Sequence, residues 1–309
     1  MKNVELIGML DDKKRLETQV SSIIHGSIEV RDKECNKYIY VHYRDNGKLI
    51  SRYVGEYSDE LYNLILNNNI KVKELKKEIK RLNNILKEEN VDNFVLSDKV
   101  KLNVDFAKRN LVDTIYKQAV LEGISTTFAL TETIIEGGEV SGISSTDVLK
   151  VLDLKHAWEF VLNKGVLLSP TDYNLLCEIN KLCIEGFYST AGKIRSVPVK
   201  IGGTSWMTGI PIESDVKDEL NKIINEKNNK IDKAIELLLY TMKKQIYVDG
   251  NKRTAVIFAN HYLIKNGLGI ISIPSELTDE FKLLLINYYE GKNTKEIKSF
   301  LKTKCYTKI

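Results

Sequence analysis

Two hydrophobic periodicities divide the chain, and the change between them falls near residue 95. Before it, a helical start over 13–24 gives way at Gly26 to alternation with period two, the spacing of a half-buried strand. Ile28 and Val30 mark a first strand. Tyr38-Ile39-Tyr40-Val41-His42-Tyr43 is a second, with Tyr38, Tyr40 and His42 on one face. Arg44-Asp45-Asn46-Gly47 supplies residues tolerant of positive φ for a turn, and 48–54 completes a small antiparallel meander. A helix is expected from about residue 72, where Val72, Leu75, Ile79, Leu82 and Leu86 keep heptad spacing. About two repeats fall short of the three or four that argue for a coiled coil, so this helix packs on the meander or on a partner chain.

From Ser97 onward the period is that of a helix. Helices are expected over 105–122, over 126–136 with Gly137-Gly138 as the stop, and from Ser145-Thr146-Asp147 through Trp158 and Phe160. A further helix covers 172–185. Arg195-Ser196-Val197-Pro198-Val199-Lys200-Ile201-Gly202-Gly203 then reads as a short strand running into a turn, with a return strand over 206–211. Helices resume over 216–224, 231–243, 251–265 and 279–289. The expected architecture is mainly α with one internal β-hairpin. Three regions follow: a meander-plus-helix module at 1–95, a helical linker at 96–160 and a helical core at 161–309.

Composition narrows the function classes. A chain of 309 residues holds roughly two domains, and its net charge of +4 is spread over interspersed Lys and Glu. Such a balance does not by itself call for nucleic acid or a membrane as partner. Cys35, Cys177, Cys183 and Cys305 form no cluster with zinc spacing and read as reduced thiols. The N-terminal stretch has charges where a signal peptide needs an apolar run, and no segment approaches the ~18 apolar residues of a membrane span. A cytoplasmic protein is expected.

Chemistry concentrates in Gln245-Ile246-Tyr247-Val248-Asp249-Gly250-Asn251-Lys252-Arg253, set between two apolar-striped helices. The first turn of the second helix offers free N–H groups and the positive end of a dipole, a ready anion site. Gly250 lets backbone approach a ligand, Asn251 can donate to a phosphate oxygen, and Lys252 and Arg253 add charge. Asp249 beside an anion site calls for a divalent cation bridging it to phosphates. The same residues also read as a helix-capping turn with solvated cations.

This stretch resembles the signature of the Fic family, His-Pro-Phe-x-(Asp/Glu)-Gly-Asn-(Gly/Lys)-Arg-x-x-Arg, which lies between two helices in enzymes that transfer AMP to protein hydroxyls. The resemblance implies a Fic-fold core that binds ATP or another nucleotide with Mg²⁺. It places Asp249 at the metal, Gly250 at a backbone anion hole, Asn251 at the α-phosphate and Arg253 at the outer phosphates. Lys252 matches the Asn-Lys-Arg variant, seen also in the related Doc toxins, which phosphorylate. The 195–211 hairpin resembles the family's flap, so Arg195, Val199 and Ile201 are expected to dock a protein target by strand addition. Glu136, in a helix over 126–137, resembles an inhibitory glutamate. Family members often self-associate, which leaves a homodimer open.

Two departures bear on mechanism. The family's general base is a histidine, and Gln245 stands in its place; an amide accepts no proton near neutral pH. The motif's second arginine, the partner of the inhibitory glutamate, is Val256. Among substitute bases, His261 lies ~15 Å along the helix from Asn251, His156 precedes the core, and Tyr247 has too high a reference pKa. The readings left open are a nucleotide-dependent transferase (AMP or phosphate onto a protein) with atypical base chemistry, and a nucleotide-sensing pseudoenzyme. A third is a nucleic-acid regulator contacting its partner through Arg31, Lys33, Lys48 and Arg52.

Overall fold

The computed structural model describes residues 3–33, 36–45, 48–88, 96–184 and 186–309. Cys35 and the Asn46-Gly47 half of the expected turn lie outside the described residues. The chain divides into two units, residues 8–93 and residues 2–7 with 94–309, which are taken in turn.

In the first unit, α1 (Asn3–Ser22) leads into β1 (Ser27–Lys33), β2 (Asn36–Asp45) and β3 (Lys48–Glu56), an antiparallel sheet of order β1-β2-β3. Side-chain alternation sends Ile39 and Val41 to one face, where they are fully buried. The next helix, α2 (Asp59–Glu88), lays Leu61, Tyr62 and Ile65 across them. Burying each such side chain stabilises by about 1.5–3 kcal/mol. The opposite face carries Tyr38, Tyr40 and Tyr53 in tilted ring contacts, with the Arg31 guanidinium 4.4 Å above the Tyr40 ring.

The helix α2 opens at Asp59 rather than near residue 72. The cause is a polar run that hides its apolar stripe: Asn68 and Asn69 do not break the helix but reach across to the α1–β1 turn. Asn68 Nδ2 donates to the Ile24 carbonyl at 3.0 Å, and the Asn69 amide both accepts from Gly26 N–H and donates to its carbonyl.

The second unit is helical. Its elements are α3 (Asp98–Arg109), α4 (Leu111–Leu121), α5 (Phe128–Glu136), α6 (Ser145–Val161), α7 (Lys164–Leu168), α8 (Tyr173–Ile184), α9 (Glu213–Asn225), α10 (Lys230–Lys244), α11 (Asn251–Lys265), α12 (Thr278–Tyr289) and α13 (Thr294–Phe300). Two short strands, β4 (Ile270–Ile271) and β5 (Tyr306–Thr307), pair antiparallel. Side-chain caps start several helices: Ser97, Thr127, Ser144, Asn163 and Asn229 each accept from a first-turn N–H. The single helix expected over 105–122 is two. Asn110 leaves helical geometry at φ −103°, ψ 18°, and its side chain donates to the Phe106 carbonyl.

At the centre lies α11, with every residue buried except Lys252 and Lys265. It packs along α10 and against α8, and α6 backs α8. A helix buried on all sides lies in the middle of a domain, its polar side chains bonded to its neighbours, and that placement fixes its first turn. The segment expected as a β-hairpin, 195–211, is present as a covering loop without a strand ladder. Its two limbs are joined by the Arg195 side chain instead. No described helix is long and apolar enough to cross a membrane.

Candidate functional site: the loop between α10 and α11

Gln245 ends α10 in the left-handed conformation, φ 48°, ψ 61°, and turns the chain out of the helix. Ile246 and Tyr247 follow with no exposed surface and anchor the loop in the core. Gly250 opens α11 at φ 73°, and a Cβ there would meet Ile184 Cγ2 at 2.7 Å. Both its backbone angle and the wall of α8 thus require glycine.

Asn251 laces the loop to itself. Its Oδ1 accepts from Tyr247 N–H at 3.0 Å, and its Nδ2 donates to the Tyr247 carbonyl at 2.8 Å and to Gln245 Oε1 at 3.2 Å. Gln245 Nε2 donates to the Met242 carbonyl at 2.6 Å. Both ends of the Gln245 amide are therefore committed. Asn180, on α8, holds the outer side: its Nδ2 donates to the Asp249 carbonyl at 3.0 Å and its Oδ1 accepts from Gly192 N–H at 3.0 Å.

Arg253 is buried at 2 % exposure. Its Nη1 donates to the Cys183 carbonyl at 2.7 Å and its Nη2 to Asp249 Oδ2 at 2.9 Å. Glu122, at the end of α4, approaches both motif cations, 3.7 Å from Arg253 Nε and 3.6 Å from Lys252 Nζ. Burial alone would lower the Arg253 pKa, but the neighbouring acidic groups, Glu122 foremost, outweigh it and hold the pKa above the ordinary value. Behind this cluster, Trp158 Nε1 donates to Gln118 Oε1, and Gln118 Nε2 donates to the Arg253 carbonyl, both at 2.9 Å.

Arg195 fixes the flap to the loop. Its backbone N–H donates to the Ile246 carbonyl at 3.0 Å and its Nε to the Gln245 carbonyl at 2.6 Å. Nη1 and Nη2 reach the Val197 and Gly209 carbonyls, both at 2.7 Å, one on each limb of the flap. Farther out, Trp206 stacks on Tyr289 with centroids 5.6 Å apart, and Thr204 donates to Glu290.

Between flap, loop and α12 opens a pocket of about 370 Å³. Lys200, Lys252 and Lys282 bring positive charge to it from three elements; Leu285, Ile286 and Tyr289 form its apolar wall, and Gln245 lies at its base. Ile201 lines the same pocket. Val199 is half-buried on the flap without lining it, and Glu136 is exposed at the end of α5, capped by Gly137. The carboxylate that meets Arg253 and Lys252 is thus Glu122, which nothing in its own stretch of sequence singles out. Asn180 and Lys282 are equally silent in sequence, because each gains its meaning only from a neighbour far along the chain.

The candidate bases are placed as follows. His261 is fully buried; its Nδ1 accepts from Thr171, its Nε2 donates to the Val166 carbonyl at 2.9 Å, and burial pushes its pKa down to about 3. Burial likewise raises the Tyr247 hydroxyl well above its ordinary value, and that hydroxyl lies 3.4 Å from Cys177 Sγ. His156 is carried by α6 and lines no part of the pocket.

A family model, the Fic/DOC family, matches residues 170–263, the span that contains α8, the flap, α10, the loop and α11. Those residues form a Fic/DOC domain. Residues 7–63 match a second model, a domain of unknown function, DUF6788. Comparison with curated proteins finds no match.

Solved structures share the Fic fold. Fic-1 (residues 134–508) from C. elegans is 17% identical with a TM-score of 0.54, covering 79% of this chain and 77% of that one. A Fic-domain signalling protein from Bacteroides thetaiotaomicron is 20% identical with a TM-score of 0.52, covering 63% and 80%. A Fic family protein from Desulfovibrio desulfuricans is 14% identical with a TM-score of 0.52, covering 69% and 70%. Fic proteins typically use a nucleoside triphosphate with Mg²⁺ and usually transfer the nucleoside monophosphate.

Within this Fic domain the donor set fits magnesium in one way only. Among the described residues no three His, Cys, Asp or Glu side chains gather to hold a metal unaided. Asp249 on the loop is 41% exposed, with one oxygen paired to Arg253. Magnesium is commonly held by one or two carboxylates together with substrate phosphates and water, and Asp249 suits that mode. When bound, the ion would offset phosphate charge beside the first turn of α11.

Proposed function

We propose that this chain is a nucleotide-binding protein of the Fic fold that receives the phosphates of its ligand at the first turn of α11 and does not perform base-assisted transfer. The observation that carries this reading is the Gln245 amide. It occupies the place of the base, and its two ends are bonded to the Met242 carbonyl and to Asn251. General-base help is worth about 10²–10⁴ in rate, while phosphate binding needs none of it. Binding draws support from the α11 N-terminus, opened by Gly250 beside Asp249, and from the three lysines that line one pocket.

Calorimetry with ATP, and then with the other nucleoside triphosphates, in the presence of Mg²⁺ tests the reading, with Asp249→Ala as control. Metal-dependent binding that the control loses, without label transfer from α- or γ-labelled nucleotide, is the expected result. Absence of binding by every nucleotide overturns it.

A second reading retains transfer of AMP or phosphate to a protein hydroxyl, served by a target nucleophile that is itself reactive. It rests on the flap, which leaves Val197, Met207 and Ile210 at least half exposed beside the pocket, apolar positions open to a target segment. Turnover with label on a second protein would establish this reading in place of the first.

A further inference from the structure

The first unit holds a second pocket, of about 340 Å³, made wholly from its own elements. One wall is aliphatic, with Val20 and Ile24 near the end of α1 and Val41 from β2. Beside it His25 and Tyr43 stand ring to ring, centroids 5.7 Å apart and tilted by 32°. His25 Nδ1 donates to the Ile23 carbonyl at 2.8 Å, which holds the ring in place.

Three cations line this pocket from three elements: Arg44 at the end of β2, Arg52 on β3 and Lys76 on α2. Among the described residues none of the three makes an ion pair, whereas Arg31 and Arg81 of the same unit are paired to Glu29 and Glu78. Convergence matters here. Like charges brought to one cavity from separate elements raise its potential and repel one another until an anion enters. Only Glu17 opposes them among the acids of the lining.

We propose that this pocket binds a phosphate monoester carrying a small flat or aliphatic group. Three cations against one carboxylate leave a surplus of two positive charges, and a phosphate monoester carries about −1.5 to −2 near neutral pH. Arginine forks match the geometry of phosphate oxygens. The aliphatic wall and the His25–Tyr43 pair supply a surface for the organic part. The volume lies near the lower end of small-molecule sites, roughly 300 Å³ upward, which suits a ligand of mononucleotide size or less. The assignment is independent of the Fic-domain reading.

Calorimetry on the full chain with inorganic phosphate, methyl phosphate, phenyl phosphate and adenosine 5′-monophosphate tests it. The variants are Arg44→Ala/Arg52→Ala, Glu17→Gln and, to mark any binding at the Fic loop, Lys252→Ala. The arginines and Lys76 are exposed, and circular dichroism checks that the double variant keeps its fold. The expected result is that phenyl phosphate binds more tightly than methyl phosphate. The double variant weakens it by at least about tenfold, the loss of two charge-assisted contacts. Glu17→Gln tightens it, and Lys252→Ala leaves it unchanged. Phenyl phosphate binding that survives the double variant, or that Lys252→Ala abolishes, overturns the proposal. So does the absence of binding by all four probes at millimolar concentration.

Discussion

Arg195 Nε donates to the Gln245 carbonyl at 2.6 Å, so one buried cation on the flap holds the backbone of the residue that stands at the heart of the loop. The remaining donors of that guanidinium tie the two limbs of the flap. Loop and flap are therefore one structure. Replacing Arg195 by Ala should release both, with a stability loss of about 2–4 kcal/mol from lost bonds to a charged group and newly unpaired carbonyls. Urea unfolding reads the loss. Arg195→Lys should recover little of it, because one ammonium nitrogen cannot span the carbonyls that Nε, Nη1 and Nη2 reach separately.

Gln245→His tests whether the amide alone silences the loop. Histidine tolerates the left-handed backbone found here better than most residues, so the fold should be unchanged. Nucleotide affinity should stay within about threefold, since the phosphate site proposed at the first turn of α11 does not involve this side chain. Label transfer from nucleotide, to the chain itself or to an added protein, should rise by about 10²–10⁴. An unchanged rate would show that Val256 in place of arginine, or another element, also blocks the reaction.

Gly250→Ala should cost stability twice over. A Cβ at φ 73° is strained by roughly 1–2 kcal/mol, and it also runs into Ile184 at 2.7 Å. A melting temperature several degrees below that of the parent, together with loss of nucleotide binding, is the expected outcome.

His261 makes stability depend on pH. Burial lowers its folded-state pKa from 6.5 to about 3, so in that interval the unfolded chain binds a proton that the folded chain refuses. Stability is then full above pH 6.5 and falls as pH drops towards 3, by up to about 1.4 kcal/mol per pH unit. Denaturation curves between pH 7 and pH 5, where carboxylates contribute least, should show the slope in the parent. The same curves should be flatter in His261→Gln.

The helical repeat was legible wherever an apolar stripe ran unbroken. The helix at 251–265 was readable to its last residue because its whole circumference is buried. Where side chains turn back on the chain, legibility failed: Asn110 split an expected helix, and the asparagines of α2 hid the start of another. The loop could be recognised from a contiguous string, Asp249 to Arg253, but its internal lacing by Asn251 could not. Glu122, Asn180 and Lys282 were out of reach because their roles exist only through residues remote in sequence. The segment expected as a hairpin flap is a loop, since Arg195 donates to carbonyls on both limbs in place of a partner strand.

The grip of Arg195 on the Gln245 carbonyl has an evolutionary reading. The bond from Arg195 is made to a main-chain atom, which every amino acid possesses, so a residue that tolerates the left-handed backbone, as histidine does, keeps that anchor at 245. Histidine and glutamine codons differ by one base in the third position. A lineage can thus cross between the two in a single mutational step without passing through a misfolded intermediate, and can cross back by the same route.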